Sequence, residues 1–321
     1  MPLLPNDEIL VIDAPDRALI RVGGVDAQDF LHRMATAAIK TLPKAATEGE
    51  AVELRPTLFL KGDGRLVANC WIARLAAGDE YLISTEAASR QELLNHLDRF
   101  LIMEKVVIED LTANYRCANL LLGSHAQTLA AAGALAYYMQ LADGHALNLI
   151  SFPHTLWRCE MWIPPETSPA NFQNQMAERY GRAVKIGSAE DYTRLRIQAG
   201  EPAWGAELGL STIPLEAGLL HAIDFNKGCF PGQEIVARIN NLGHPANVLV
   251  GLRAQGEIKA GDALFSQEKS VGKITSIARI ADSWIALAYV KWDYREPDAV
   301  LALGTAGGAA ATVSAFPLNP S

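Results

Sequence analysis

The sequence has 321 residues, of which 50% are hydrophobic and 20% charged, so it is long enough for two or three domains with substantial cores. Its formal charge of −8 argues against an extended nucleic-acid-binding surface, although it leaves room for a local basic pocket. The first residues do not form a basic segment followed by a long apolar one, and no apolar run approaches the length that spans a bilayer, so we expect a cytoplasmic protein.

Short apolar runs alternate with helical periodicity through the first two thirds of the chain, which predicts an α+β fold. The predicted strands are 18–22, 57–60, 65–73, 81–84, 106–108, 118–122, 147–152, 158–163 and 184–186. The predicted helices are 26–39, 87–101, 126–136, 172–180 and 188–199. The turn 61–64 is typical of a hairpin. We expect Asp26 to cap the first helix, and Ser188 and Asp191 to form a capping box.

The last quarter of the chain has a different pattern. From residue 247 onward, short apolar stretches alternate with turn sequences and helical signals disappear, which predicts a small β-barrel or sandwich. Gly304 to Ala311 is expected to be a loop before the last strand. We therefore expect one region at 1–246 and a C-terminal β domain at 247–321.

The four cysteines are widely spaced and form no C-x-x-C pair. They are Cys70, Cys117, Cys159 and Cys229. Distant cysteines can meet in a fold, but this spacing is typical of free thiols rather than of a disulfide framework or a zinc site. We therefore predict no metal site.

The stretch from Asn226 to Arg238, NKGCFPGQEIVAR, concentrates the chemistry of the chain. Gly228 and Gly232 allow a sharp turn and a close approach to a ligand, and Lys227 is near enough to favour a thiolate at Cys229. A structural alternative stays open, because a lone cysteine is often a small buried apolar residue and Gly-Pro-Gly sequences often mark a tight connection.

This stretch resembles the Lys-Gly-Cys signature of the YgfZ-type proteins, which are folate-binding relatives of the glycine-cleavage T protein (aminomethyltransferase) linked to iron–sulfur cluster assembly and maintenance. Residues 24–31, 196–202 and 213–219 resemble further segments of the wider superfamily. The resemblance covers most of the chain and is weak in the last quarter. It implies two intertwined ferredoxin-like α/β sandwich units, followed by a C-terminal β-barrel.

The resemblance also implies a tetrahydrofolate site. Gln198 stands where the superfamily has a glutamate that meets the pterin edge, so the acceptor remains but the charge is lost. Tyr192 either lines the pterin ring or packs into the core. Lys227 and Arg238 are candidates for anion contacts, although an arginine in an exposed strand is often simply solvated. We expect His32 to be solvated as well.

For catalysis, the aminomethyltransferases carry an aspartate in the strand after the hairpin, where this sequence has Ala68 and Asn69. Neither side chain can act as a carboxylate, which argues against glycine-cleavage activity. The distinctive functional group is instead Cys229, with Lys227 beside it. Gln233 and Glu234 either orient this loop or lie on the surface away from it.

The leading hypothesis is a tetrahydrofolate-binding accessory factor for iron–sulfur enzymes or cluster-assembly proteins. The first alternative is a folate-dependent transferase of one-carbon groups of the aminomethyl type. The second is a non-catalytic module that recruits a protein partner. Neither a nucleic acid nor a membrane is an expected partner.

Overall fold

We describe the fold from a computed structural model. The described residues are 9–43, 51–52, 54–75, 79–122, 136–141, 144–151, 158–180 and 183–318. Within these ranges the α-helices are α1 (Ala27–Met34), α2 (Ala87–Phe100), α3 (Pro169–Tyr180), α4 (Ala189–Ala199) and α5 (Gln233–Leu242). Short 3₁₀ helices cover Ile39–Thr41, Thr112–Asn114, Leu219–Ala222 and Trp292–Tyr294.

The strands of the described ranges form two sheets and a barrel. The first part of the chain contributes β1 (Ile9–Asp13), β2 (Arg17–Gly23), β3 (Ala51–Val52), β4 (Leu54–Leu60), β5 (Leu66–Arg74), β6 (Glu80–Glu86) and β7 (Val107–Asp110). The middle part contributes β8 (Arg116–Leu122), β9 (Ala136–Leu141), β10 (Gly144–Ser151), β11 (Arg158–Ile163) and β12 (Val184–Ile186). The last part contributes β13 (Asn247–Ala254), β14 (Ala263–Ser266), β15 (Lys269–Ile280), β16 (Ser283–Lys291), β17 (Val300–Leu303) and β18 (Ala310–Ser314).

The first sheet is antiparallel in the order β4-β5-β6-β2-β7. Alternate residues of a strand point to opposite faces, so Ile20 and Val22 face one way and Leu19 the other. Ile20 and Val22 pack under α1 and α2, in a core with Phe30, Leu31 and other buried residues. The two helices therefore cover one face of this sheet.

The second sheet has the order β12-β1-β8-β11-β10-β9-β3. Leu19, on the free face of the first sheet, packs with Cys117 of β8 and Trp162 of β11, so the two sheets lie face to face. The register puts Leu10 and Leu121 on the same face of the second sheet as Cys117, and both pack against Leu195, so α4 covers this face beside the first sheet. The N-terminal strand β1 belongs to this second sheet rather than to the first, and it pairs with β8 and β12.

The last six strands close into a barrel, β13-β16-β15-β14-β17-β18. Helix α4 lies between the second sheet and this barrel, because Ile197 packs with Leu249, Leu287 and Leu318 on the barrel side. The predicted α+β fold with a C-terminal barrel is confirmed. The first barrel strand begins at Asn247, while the division into domains at 247 stays a prediction.

Several local predictions were wrong. Helix α1 ends at Met34 rather than near residue 39, because Ala35 and Thr36 bond to strand β4 instead. Asp26 does not cap α1; its Oδ2 accepts the N–H of Lys105 at 2.7 Å. The predicted helix at 126–136 lies outside the described residues, apart from residue 136, which begins strand β9.

None of the described helices is long and apolar enough to cross a membrane.

Candidate functional site

The loop 226–232, here called the signature loop, presents a thiol between two fixed points. Phe230 is 6% exposed and packs into a core cluster with Leu58, Leu66 and Val236. Its N–H donates to Gln233 Oε1 at 3.3 Å, so Gln233 orients the loop backbone from the start of α5. Cys229 immediately precedes this anchor and is exposed, as a free cysteine. The alternative of a small buried apolar cysteine is therefore wrong for Cys229.

Gly232 brings the signature loop against the turn between β4 and β5. It has φ +79, and a Cβ added there would lie 2.5 Å from Lys61 O and 2.8 Å from Gly64 Cα. Gly64 has φ +78 itself, and its own Cβ would lie 3.1 Å from Ile235. Only glycines allow both the left-handed backbone and this approach, so the two turns are packed together at their backbones.

Lys227 and His32 hold each other by reciprocal hydrogen bonds. Lys227 Nζ donates to the carbonyl oxygen of His32, and His32 Nε2 lies 3.0 Å from the carbonyl oxygen of Lys227. His32 Nδ1 accepts the N–H of Ile39 at 3.1 Å. The expectation that His32 is simply solvated was wrong, because its partly exposed ring is bonded at Nδ1 to the chain after α1 and at Nε2 to the signature loop.

The electrostatics of this pair follow from its burial. Burial lowers the pKa of Lys227 to about 8, against which Asp224 and Cys229 favour the charged amine. The Lys227 amine also lies 5.3 Å from the centre of the Phe230 ring, within range of a cation–π interaction. Burial, and then the charge of Lys227, lower the pKa of His32 below its ordinary 6.5. An amine with a pKa near 8 is partly neutral at slightly alkaline pH.

Glu234 and Arg238 lie on the exposed face of α5. The expectation of an exposed strand around Arg238 was wrong: the chain enters a helix at Gln233, directly after the left-handed Gly232. Val236 of this helix is fully buried, and it packs with Phe230. The helix therefore anchors the signature loop and points Arg238 to solvent.

Tyr192 belongs to a second polar centre, a network of buried charges between the two sheets and α4. Arg17 Nε lies 3.0 Å from Glu160 Oε1, and Arg158 lies 3.5 Å from Glu160 and 2.6 Å from Glu201. Arg158 also donates to the hydroxyl of Tyr192. Glu160 is fully buried, so these ion pairs keep its charge compensated in a low dielectric.

The network borders a narrow cleft lined by residues of β5, β6 and α4. Asn69, Trp71 and Tyr192 contribute to its walls. The buried Asn69 Oδ1 and Glu201 Oε2 accept no hydrogen bond from any described residue. Burial raises the pKa of Glu86, another wall residue, to about 7, although Arg17 and the N–H of Trp204 act in the opposite direction. The cleft thus contains at least two buried acceptor oxygens to which no described residue donates.

Gln198 faces the C-terminal segment. It is 3% exposed, its side-chain Nε2 donates to Leu318 O at 3.4 Å, and its backbone carbonyl oxygen accepts the N–H of Leu318 at 2.8 Å. Its Oε1 is buried without a hydrogen-bond partner among the described residues. Phe316 packs against the C-terminal end of α4 next to Gln198, because a Cβ added at Gly200 would lie 2.8 Å from the Phe316 ring.

The predicted site residues therefore fall into separate places. Lys227, Gly228 and Gln233 share the signature loop and its anchor with Cys229, and no described contact joins Tyr192 or Gln198 to them. The sequence analysis missed His32, for which one sequence carries no signal. It also missed Arg158 and Glu160, although their alternation in a strand predicts that both lie on one face.

The thiols differ in environment. Burial raises the pKa of Cys70 to about 12, and burial also raises the pKa of Cys117 well above its ordinary value. Cys229 is the exposed one of the three described cysteine side chains. No group of three or more His, Cys, Asp or Glu side chains suited to a metal ion occurs among the described residues.

The fold is that of an aminomethyltransferase. The crystal structure of aminomethyltransferase T of the glycine cleavage system from Bartonella henselae matches with a TM-score of 0.80, covering 97% of this chain and 86% of that chain at 20% identity. At this identity the match shows the fold alone. It confirms the architecture that the sequence resemblance implied.

Curated relatives place the chain more closely. The mitochondrial iron–sulfur cluster assembly factor IBA57 of Homo sapiens is 28% identical over 275 residues, 80% of this chain and 71% of that protein. The tRNA-modifying protein YgfZ of Pectobacterium atrosepticum is 32% identical over 124 residues, 37% of this chain and 36% of YgfZ. The chain spans 53% to 66% of the length of three further relatives. No family model matches the sequence.

The chain is therefore a homologue of IBA57 and YgfZ, which confirms the resemblance carried by the signature stretch. The IBA57 relatives are named as mitochondrial, so the expected cytoplasmic location stays a prediction.

Proposed function

We propose that this protein is a tetrahydrofolate-binding accessory factor for the assembly or repair of iron–sulfur clusters, with Lys227 and Cys229 as its reactive centre. The observation that carries the proposal is the exposed Cys229 thiol on a loop fixed on both sides, by His32 at Lys227 and by the core at Phe230. Relatives named as iron–sulfur cluster assembly factors supply the process. The partners would be iron–sulfur enzymes or cluster-assembly proteins.

The residues of the cleft fit a pterin by their chemistry. A pterin presents a row of N–H donors, and the cleft holds two buried acceptors without donors, Asn69 Oδ1 and Glu201 Oε2. Trp71 and Tyr192 supply aromatic surface for a flat ring. The cavity is only about 30 Å³, so a bound ring would require the wall residues to move apart.

The assignment of roles follows from these positions. Asn69 and Glu201 would hold the pterin edge, and Lys227 would contact the anionic glutamate tail, with Gly228, Gln233, Glu234 and Arg238 as further candidates around the loop. Gln198 would contribute after displacement of Leu318, which now occupies its amide. When bound, tetrahydrofolate supplies a carrier for one-carbon groups.

The chemistry that Cys229 can perform is thiol exchange. A Cys229 thiolate can attack one sulfur of a partner's disulfide, which forms a mixed disulfide and releases the other sulfur as a thiolate. Asn69 on β5 offers no carboxylate, in agreement with a loss of glycine-cleavage chemistry.

Calorimetric titration with tetrahydrofolate tests the binding step, on the wild type, Glu201→Gln and Lys227→Met. We expect micromolar binding by the wild type and at least about tenfold weaker binding by both variants, because each removes a group that holds one end of the ligand. Lys259→Met removes an exposed barrel lysine and should bind as the wild type does. The folate proposal is wrong if the wild type does not bind.

A cellular test addresses Cys229. Cells lacking their IBA57-type factor are supplied with the wild type, Cys229→Ala or Cys229→Ser, and the activity of an iron–sulfur enzyme is measured. We expect recovery with the wild type only. Equal recovery with Cys229→Ala would remove the thiol from the mechanism while leaving the folate result standing.

One observation favours the alternative of a one-carbon transferase. Glu86 shares the cleft with Asn69, and a carboxyl whose pKa is near 7 suits general acid–base catalysis at neutral pH. A screen of amine donors with tetrahydrofolate, followed by Glu86→Gln, decides this alternative. Turnover that is lost in Glu86→Gln supports it, and an absence of turnover with every donor counts against it.

A further inference from the structure

A side chain outside the signature stretch controls the position of Lys227. His32 lies on α1, almost two hundred residues before the loop, and its ring is bonded at both nitrogens. The N–H of Ile39 can only donate, so Nδ1 of His32 must be unprotonated. The proton is then on Nε2, which donates it to the carbonyl oxygen of Lys227. Both bonds exist only in the neutral ring with this tautomer.

We propose that His32 is a positioning residue that holds Lys227 in its half-buried place beside Cys229, and that protonation of His32 releases the signature loop. A second proton, on Nδ1, would face the N–H of Ile39, donor against donor. It would also place a positive charge next to the Lys227 ammonium group. The charged ring would donate a stronger hydrogen bond to the carbonyl oxygen of Lys227, but burial and the Lys227 charge outweigh this effect, so acid opens the loop.

The charges around His32 support this direction. Asp29 and Arg33 lie on the same helix, Lys40 follows in the 3₁₀ turn, and Lys227 approaches from the loop. Asp29 is neutralised by Lys40 at 2.7 Å, and Arg33 by Glu104 at 2.5 Å. On the loop, Asp224 and Cys229 act on Lys227. The charge that most directly opposes an imidazolium at His32 is therefore the Lys227 ammonium group.

The inference rests on the proposed function only for the importance that it gives to Lys227. Its test reads the Lys227 amine itself, so failure here leaves folate binding and cluster assembly untouched, and their failure leaves this device in place. The variants are His32→Phe, which keeps a ring without hydrogen bonds, and His32→Gln, which keeps an N–H donor and never becomes charged. His244→Phe is the control, because His244 stacks on Trp292 of the barrel end.

The first measurement is the pH dependence of Lys227 acylation, followed by mass spectrometry of the peptide that contains it. In the wild type we expect a midpoint near pH 8, because the half-buried amine has a pKa of about 8. In His32→Phe the loop is released, and the midpoint should move toward the ordinary value of 10.5. His32→Gln should lie nearer the wild type, and His244→Phe should match it. An unchanged midpoint in a folded His32→Phe overturns the positioning role.

The second measurement is amide hydrogen exchange of residues 226–230 at pH 7 and pH 5, corrected for the intrinsic effect of pH. We expect the protection of the loop to fall several-fold at pH 5 in the wild type and in His244→Phe. His32→Gln should show equal protection at both values, since it has no proton to gain. A fall of the same size in His32→Gln overturns the proposed release by protonation, even if His32→Phe does not fold.

Discussion

Glu86 shows how one buried carboxyl can set the pH dependence of the whole chain. Its ordinary pKa is 4.5, and burial raises this to about 7 in the folded protein. Between these values the folded state binds more protons than the unfolded state, so the free energy of unfolding decreases as pH rises from 4.5 to 7. Above pH 7 the folded protein carries the full cost of a buried charge that Arg17 only partly offsets.

We predict that Glu86→Gln stabilises the protein at pH 8 relative to its effect at pH 5, by about 1–3 kcal/mol. The amide is neutral at both values and still accepts the N–H of Trp204. Urea denaturation at the two pH values measures the difference. Glu257→Gln, on the exposed surface of the barrel, should change stability equally at both. A gain for Glu86→Gln that does not depend on pH would contradict the raised pKa.

At the scale of residues, the sequence indicated which residue types could be reactive, but it did not show which residues contact them in the fold. It marked Cys229 and Lys227, since an amine two residues before a thiol that is flanked by two glycines is recognisable from the sequence alone. It missed His32, because the contact that matters comes from a segment far along the chain. Alternation in strand β11 puts Arg158 and Glu160 on one face, but it does not show that this face is buried. The pairing of Glu160 with both Arg17 and Arg158 depends on the packing of two sheets.

At the scale of elements, the contact between the signature loop and the hairpin turn explains why the second glycine of the motif has a structural role that the first lacks. Gly228 and Gly232 both have positive φ, +105 and +79. A Cβ at Gly228 would meet no atom within 4 Å, whereas at Gly232 it would overlap the backbone of the turn. A substitution at Gly228 therefore measures the free energy of backbone strain alone, whereas a substitution at Gly232 adds the steric overlap with the turn.

We predict that Gly232→Ala lowers the free energy of unfolding by about 3 kcal/mol or more, and Gly228→Ala by about 1 kcal/mol. Gly228→Ala destabilises the folded state only through the left-handed backbone conformation, while Gly232→Ala must also displace the Lys61 carbonyl. Chemical denaturation measures both, and circular dichroism confirms that each variant is folded. Equal losses in the two variants would mean that the contact with the turn contributes nothing.

Local pattern predicted most helices and strands, and it failed where tertiary contacts override it. The capping box at Ser188 and the left-handed Gly200 bound α4 as predicted, because both signals act within a few residues. Helix α1 stops early since Ala35 and Thr36 are captured by β4, and α5 forms where a strand was expected around Arg238. The apolar run there is too short for periodicity to separate the two structures.

For the whole molecule, the aminomethyltransferase fold and the C-terminal barrel could be predicted from the sequence, whereas the order in which the strands pair could not. Strand β1 crosses to the second sheet, and no local signal in residues 9–13 shows that it pairs with β8 and β12. The consequence is that α4 contacts both the second sheet, through Leu195, and the barrel, through Ile197. The barrel and the sheets therefore share one helix as a common core element.

This sharing predicts that damage on the barrel side spreads to the rest of the chain. Leu318 is fully buried against Ile197, and Leu318→Ala should cost about 2–5 kcal/mol through lost burial and the cavity that remains. If α4 couples the two parts, protection against hydrogen exchange should fall by the same factor in the slowest amides of β13–β16 and of β2–β6. Val300→Ala, at a side chain that is 64% exposed, is the control and should change neither. Loss of protection confined to the barrel would show that α4 stays folded on the second sheet alone, and that the barrel opens as a separate unit.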